Sequence, residues 1–387
     1  MSINDIENIN KVESYFYKRI RGLDTNKENI KKRIDKFSEL IKLKEKASEL
    51  SFDDNSALRR ISIVLTTKCN LKCVWCHREE KHVQDSGYLE KELHKDKIKK
   101  ILPELKGFHV LNWGGLGEPL LNKDIYELSK EARKYVPIVK TTSNGTTLVK
   151  KNIPKIVDSG LNYLEVSIDG FDNTANKKLR GSDENIIIEN LVEFSDKSSI
   201  PLQINSVVSE ENYVSLLEAV EKLKGVKNIV CLHAIPLFMT KHMIERGIKK
   251  ISNSNFLKLL NRWESDIKKY KLNWELSPNQ SETSFDPVIF LKEKYNICFT
   301  PFEDPTINVD GNIVPCSRLQ HLGIENVFEK GFKAVWNCEK MKTFRREQLK
   351  GNYGDLCQRE CSMKVTTSQT NEERLRELKF VHQSIKL

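Results

Sequence analysis

Cys69, Cys73 and Cys76 stand as C-x3-C-x2-C in the stretch Cys69-Asn-Leu-Lys-Cys73-Val-Trp-Cys76. No fourth cysteine is close enough to complete a compact tetrahedral zinc knuckle. Three thiolates from one short loop suit three corners of a four-iron cluster, with the fourth iron left open to a ligand from elsewhere. A zinc loop or redox thiols are the competing readings of so short a run. A second set, Cys298, Cys316, Cys357 and Cys361, is spread over the C-terminal part. Asp310-Gly311, between alternating apolar residues, predicts a β-hairpin that delivers Cys316 at the end of its returning strand. Four cysteines can close one metal centre, either an iron-sulfur cluster or a structural zinc. Cys231, in an apolar run, and Cys338, after Trp336-Asn337, read first as small buried hydrophobes.

The elements that must position these residues follow from periodicity. Residues 1–58 read as a helical extension: Ile6, Ile9, Val12, Phe16 and Ile20 recur at helical steps, and Thr25 with Glu28 forms a capping box before a second amphipathic run. From Ile61 onward short apolar strands alternate with helices. The predicted strands are 61–65, 108–112, 137–141, 163–167, 202–206 and 229–233. Strict alternation implies right-handed parallel crossovers, so six units predict an α/β fold, a partial (β/α)6 TIM-type barrel over residues 59–238. Residues 239–290 read as a helical linker, in which Glu264, Asp266, Trp274 and Glu275 are placed toward the substrate by position alone. Residues 291–365 form a small C-terminal metal domain of hairpin and helices, and 366–387 a helical tail. Parallel barrels carry their chemistry at the C-terminal strand ends, and the informative residues fall there.

The cysteine loop follows the first strand, and Trp113-Gly-Gly-Leu-Gly-Glu-Pro119 follows the second. Glycines allow close backbone approach, and a carboxylate can accept from an ammonium group. The third strand ends in Thr141-Thr-Ser-Asn-Gly145, the fourth in Ser167-Ile-Asp-Gly170, and Leu179-Arg-Gly181 lies beyond. Together these resemble the radical SAM superfamily, whose open iron is chelated by the amino and carboxylate groups of S-adenosylmethionine. The resemblance implies that Cys69, Cys73 and Cys76 hold the SAM-binding 4Fe-4S cluster. Trp75 takes the family's aromatic position. Gly114, Gly115, Gly117 and Glu118 match the segment that binds the SAM amino group, Asn144 the T-N-G turn, Ser167 a contact near the ribose, and Arg180 a partner of the SAM carboxylate. The C-terminal part resembles the SPASM/twitch extension, and its shorter form implies one auxiliary 4Fe-4S cluster on Cys298, Cys316, Cys357 and Cys361. The final pair departs from the common C-x2-C by standing as C-x3-C.

The family's chemistry is reductive cleavage of SAM to methionine and a 5′-deoxyadenosyl radical, which takes hydrogen from an unactivated carbon. An electron donor such as flavodoxin or ferredoxin is implied. The expected substrate is a small polar metabolite of natural-product biosynthesis, such as an aminosugar, a cyclitol or a nucleotide-linked sugar. It would be dehydrogenated with the auxiliary cluster as acceptor, or epimerised with Cys231 or Cys338 returning a hydrogen atom. A maturase of a ribosomally made peptide is the alternative, and a non-catalytic iron-sulfur protein a further one. A formal net charge of +10 favours an anionic partner or substrate, or serves solubility alone. Because aromatics are not interleaved among the lysines, nucleic acid is not the expected ligand. No apolar run is long enough to span a bilayer and the N-terminus is polar, so the expectation is a cytoplasmic protein with no membrane partner.

Overall fold

The computed structural model describes residues 60–237, 239–277 and 300–350. The expected N-terminal helices and C-terminal helical tail, with Cys298, Cys357 and Cys361, lie outside the described residues.

Among the described residues nine strands form one sheet: β1 (Arg60–Ile63), β2 (Val110–Trp113), β3 (Ile138–Ser143), β4 (Tyr163–Ser167), β5 (Leu202–Val208), β6 (Ile229–Pro236), β7 (Glu275–Ser277), β8 (Thr306–Ile307) and β9 (Ile313–Val314). Their order is β7-β6-β5-β4-β3-β2-β1-β8-β9. Every neighbouring pair is parallel except the β8–β9 hairpin. The six strands read from the sequence are all present and lie side by side in chain order, as repeated βαβ crossovers require. The sheet is open, with β7 at one edge and β9 at the other.

Helices cover one face. They are α1 (Lys95–Ile101), α2 (Ile125–Ala132), α3 (Ile153–Val157), α5 (Glu184–Lys197), α6 (Tyr213–Leu216), α7 (Ala219–Leu223) and α8 (Asn253–Lys269), whereas α4 (Ala175–Arg180) packs against Trp75 beside the cysteine loop. In α5 the Asp183 side chain accepts from Asn185 N, and Ile187, Leu191 and Phe194, at four- and three-residue steps, face the sheet. Under the helices the alternate strand residues Leu111, Trp113, Val139, Leu164, Val166, Leu202, Ile204 and Leu232 join one buried cluster. Trp113 is fully buried, with its indole N–H on Ser129 Oγ of α2 at 2.8 Å. The opposite strand positions carry polar side chains: Lys140 pairs with Glu165, Glu165 accepts from Thr142, and Tyr163 donates to Gln203.

Two elements differ from expectation. The linker was expected to be helical throughout, but Glu275–Ser277 is a strand, paired with Cys231, Leu232 and His233 of β6. Leu276 alternates toward the helix-covered cluster while its neighbours face the other way. The expected hairpin forms, with Gly311 at φ +87° in its turn, yet it does not stand apart as a separate module. Thr306 and Ile307 pair in parallel with Ser62 and Ile63, so β8 continues the barrel sheet next to the cysteine loop.

Candidate active site

The loop after β1 is held from three sides. Thr67 N donates to Lys91 O at 3.0 Å, Glu118 N to Lys68 O at 2.8 Å, and Val74 N to Leu179 O at 2.8 Å. These bonds fix Cys69, Cys73 and Cys76 against the glycine turn and the end of α4. The three thiols are partly buried and close enough to influence one another's ionisation. Burial pushes all three above the usual thiol range, Cys73 to about 11. Arg180 opposes that rise at each of them. A bound metal would displace those protons and hold the sulfurs as thiolates.

Arg180 is fixed by its carboxylate partner. Its Nη1 lies 2.7 Å from Asp169 Oδ2, and the other Asp169 oxygen accepts from Val207 N at 2.7 Å. Burial alone would lower the guanidinium's proton affinity, but Asp169 and the nearby Cys73 outweigh it. Arg180 Nε is buried without a hydrogen-bond partner among the described residues, so a donor remains near the cysteines. Trp75 packs with Ala175, Leu179, Leu237 and Met243, and its indole N–H is likewise buried and unpartnered. These two unpartnered donors, with three partly buried thiols, fit a cluster that carries an amino-acid-like ligand.

Glu118 has a more specific role than the sequence conveys. Its carboxylate is 1% exposed. One oxygen accepts from Leu120 N at 3.1 Å and the other from Asn144 N at 2.6 Å, so it joins the glycine turn to the T-S-N-G turn. Burial holds its pKa above the usual carboxylate range. Asn144 in turn donates to Asn70 Oδ1 at 2.9 Å, inside the cysteine loop. The glycines serve the same packing. A Cβ on Gly117 would lie 2.3 Å from Thr66 O, and one on Gly115 2.6 Å from Val64, while Gly114 would meet Asn112. The turn thus approaches the root of the cysteine loop as closely as backbone permits.

Ser167 ends β4 beside Asn205 of β5, on the face opposite the helices. Cys231 shares that face. A β-bulge between Leu202 and Gln203 pairs Leu202 with Ile229 but Gln203 with Cys231, skipping Val230. His233 Nδ1 is 3.3 Å from Gln203 Nε2, and Gln203 also donates to Asn205 Oδ1. Cys338 is elsewhere. It follows α9 (Phe332–Trp336) and packs against the helix-side cluster, where Phe332 meets Phe108 before β2 at 5.5 Å. Cys338 thus packs on the helix-covered side of the sheet, whereas Cys231 lies on the opposite face. Of the linker residues, Asp266 is buried against Arg262, Glu264 pairs outward with Lys268, and Trp274 is in the core; Glu275 alone stands on the inner face, level with Cys231.

Sequence reasoning missed Gln320, whose Oε1 accepts from Leu116 N at 3.0 Å in the middle of the glycine turn. It ties the C-terminal segment to the SAM side of the site. A glutamine far along the chain, outside every motif, carries no local signal of such a contact.

The Radical SAM superfamily profile matches residues 63–223, and that of an iron-sulfur cluster-binding domain, SPASM, matches 298–362. An AdoMet-dependent heme synthase of Methanosarcina barkeri is 26% identical over 325 residues, 78% of this chain and 89% of that one. A probable GTP 3′,8-cyclase of Methanocaldococcus jannaschii is 29% identical over 191 residues, 46% of this chain and 60% of its own. Among solved structures, Streptococcus suis SuiB superposes with a TM-score of 0.60 at 19% identity, covering 89% of this chain and 78% of its own. SuiB has also been solved with S-adenosylmethionine and with its precursor peptide SuiA. With two family matches in the expected order on an open parallel barrel, the chain belongs to the radical SAM superfamily as an enzyme with a C-terminal SPASM iron-sulfur domain, and its cofactors are 4Fe-4S clusters and S-adenosylmethionine.

Proposed function

We propose that this enzyme takes a hydrogen atom from an unactivated C–H of a small polar metabolite held against the inner face of the sheet, giving dehydrogenation or epimerisation. When bound, the reduced cluster and SAM supply the 5′-deoxyadenosyl radical. The supporting observation is the ladder of polar side chains on adjacent strands: Lys140 and Thr142 on β3, Glu165 on β4, Gln203 and Asn205 on β5, and His233 on β6. Hydrogen-bonding groups fixed by one another orient a polyhydroxylated or charged ligand better than an apolar one. Cys69, Cys73 and Cys76 hold the cluster in this reading, Arg180 presents its free Nε–H to the SAM carboxylate, and Trp75, the glycine turn, Asn144 and Ser167 shape the rest of the SAM site. Cys298, Cys316, Cys357 and Cys361 hold the auxiliary cluster, an electron acceptor in a dehydrogenation. Cys231, on the same face as His233, is the hydrogen-atom donor in an epimerisation. Relatives named for heme and for GTP favour a small-molecule substrate over a peptide.

The test is anaerobic turnover in heavy water, with reconstituted enzyme, SAM, a chemical reductant and extract of the source cells, followed by mass analysis. Loss of two hydrogens from a metabolite marks dehydrogenation. A gain of one mass unit that disappears in Cys231→Ala, while 5′-deoxyadenosine still forms, marks epimerisation. A modified peptide ion with every metabolite unchanged would overturn the proposal in favour of peptide maturation.

A further inference from the structure

Three imidazoles outside the SAM site converge where the cysteine loop meets the C-terminal domain. His77 directly follows Cys76, His82 lies one turn on in the helical segment Lys81–Gln84, and His321 comes five residues after Cys316. Their ring centroids are 5.3, 5.3 and 6.3 Å apart, and one nitrogen from each lies within 4.8 Å of the others. His77 Nε2 is 2.9 Å from Arg318 O, a contact that only an N–H can make. That leaves Nδ1 as the ring nitrogen open to a further partner. It is shielded from solvent with no aligned hydrogen bond, and it stands 3.1 Å from Glu80 Oε1. His321 Nδ1 is also shielded and has no hydrogen-bond partner among the described residues.

A ring N–H held by a backbone carbonyl, which leaves the opposite nitrogen for the ion, is the usual arrangement of a metal-binding histidine. Zinc–nitrogen bonds of about 2.0–2.1 Å require nitrogens a little over 3 Å apart, within reach of small ring rotations here. We propose that His77, His82 and His321 bind one divalent transition-metal ion, distinct from both iron-sulfur clusters, with Glu80 beside it as fourth ligand or charge partner. Imidazole donors suit zinc, iron, nickel or copper, and disfavour calcium or magnesium. Because His77 and His82 leave the cysteine loop while His321 belongs to the C-terminal domain, the ion would staple the two. The Arg318 ion pair to Glu80, at 3.4 Å, joins the same two segments.

The test is titration of the full-length, cluster-loaded enzyme with cobalt(II), followed by its d–d absorption, with iron and sulfide counted in parallel. One equivalent of cobalt should bind with nitrogen- and oxygen-type bands and no thiolate charge transfer. His321→Gln should weaken that binding about tenfold or more, with iron and sulfide unchanged. His82→Gln, on a partly exposed residue, should do the same, and a far-UV circular dichroism melt of each variant confirms that it is folded. Unaltered cobalt binding in folded variants, or thiolate bands, would overturn the proposal. Iron lost together with cobalt would also overturn it, by placing His321 on the auxiliary cluster.

Discussion

At the scale of single residues, Glu165 is an informative group that no motif marks. It is buried on the inner face, which alone would raise its pKa, but Lys140 and Thr142 outweigh burial and hold it down to about 2. A carboxylate whose folded pKa is depressed adds stability above its unfolded pKa near 4.5 and loses it as pH falls toward 2. Glu165 therefore contributes on the order of 3 kcal/mol at neutral pH, shared with Lys140 as a coupled pair. Thermal unfolding of wild type and Glu165→Gln should differ most at pH 7, with the gap narrowing as pH falls from 4.5. A constant difference down to pH 3 would mean that the pair carries no such linkage.

Elements set how sharply a glycine is required. Gly117 lies against the backbone of the cysteine loop, so the Cβ of Gly117→Ala must push the two loops apart. A cost of about 1–3 kcal/mol is expected, together with lower iron content per chain after reconstitution. Gly181 offers the contrast. It caps α4 at φ +83° with open space around it, so Gly181→Ala should cost only about 1–2 kcal/mol of backbone strain and leave iron content unchanged. Equal iron contents in the two variants would show that the glycine turn does not position the cysteines. The β5–β6 pairing is decided at this scale as well. Without the bulge, Cys231 would fall opposite Ile204 on the helix-covered side.

Across the whole molecule the C-terminal domain and the barrel are continuous. β8 pairs with β1, Gln320 holds Leu116, and Arg318 meets both His77 and Glu80. Gln320→Ala leaves the buried Leu116 N–H without its partner, a loss of about 1–3 kcal/mol. Hydrogen exchange at Leu116 should accelerate roughly tenfold or more, given that 1.4 kcal/mol is a factor of ten, while exchange at Val139 in the sheet interior stays slow. Acceleration at both amides would mean global loosening instead. No described helix is long and apolar enough to cross a membrane.

The chemistry was readable in the chain because cluster and SAM motifs are short. Cys69, Cys73 and Cys76 lie within eight residues, and each strand-end segment within seven, so their resemblance to the family's motifs is legible locally. The six parallel strands were legible for a similar reason: an apolar run between helical periods is a local signal. Tertiary structure decided whatever depends on two distant segments. Cys231 stands on the inner face because of a one-residue bulge that period-two reading cannot detect. Glu275 joins the sheet because β6 offers it an edge, against a prior of continued helix. Glu118 is a buttress because Leu120 and Asn144 converge on it. His321 meets His77 and His82 across more than two hundred residues only because β8 brings the C-terminal domain against β1. Sequence spacing constrains neighbours along the chain, whereas contacts of long separation are selected by the packing of the complete sheet.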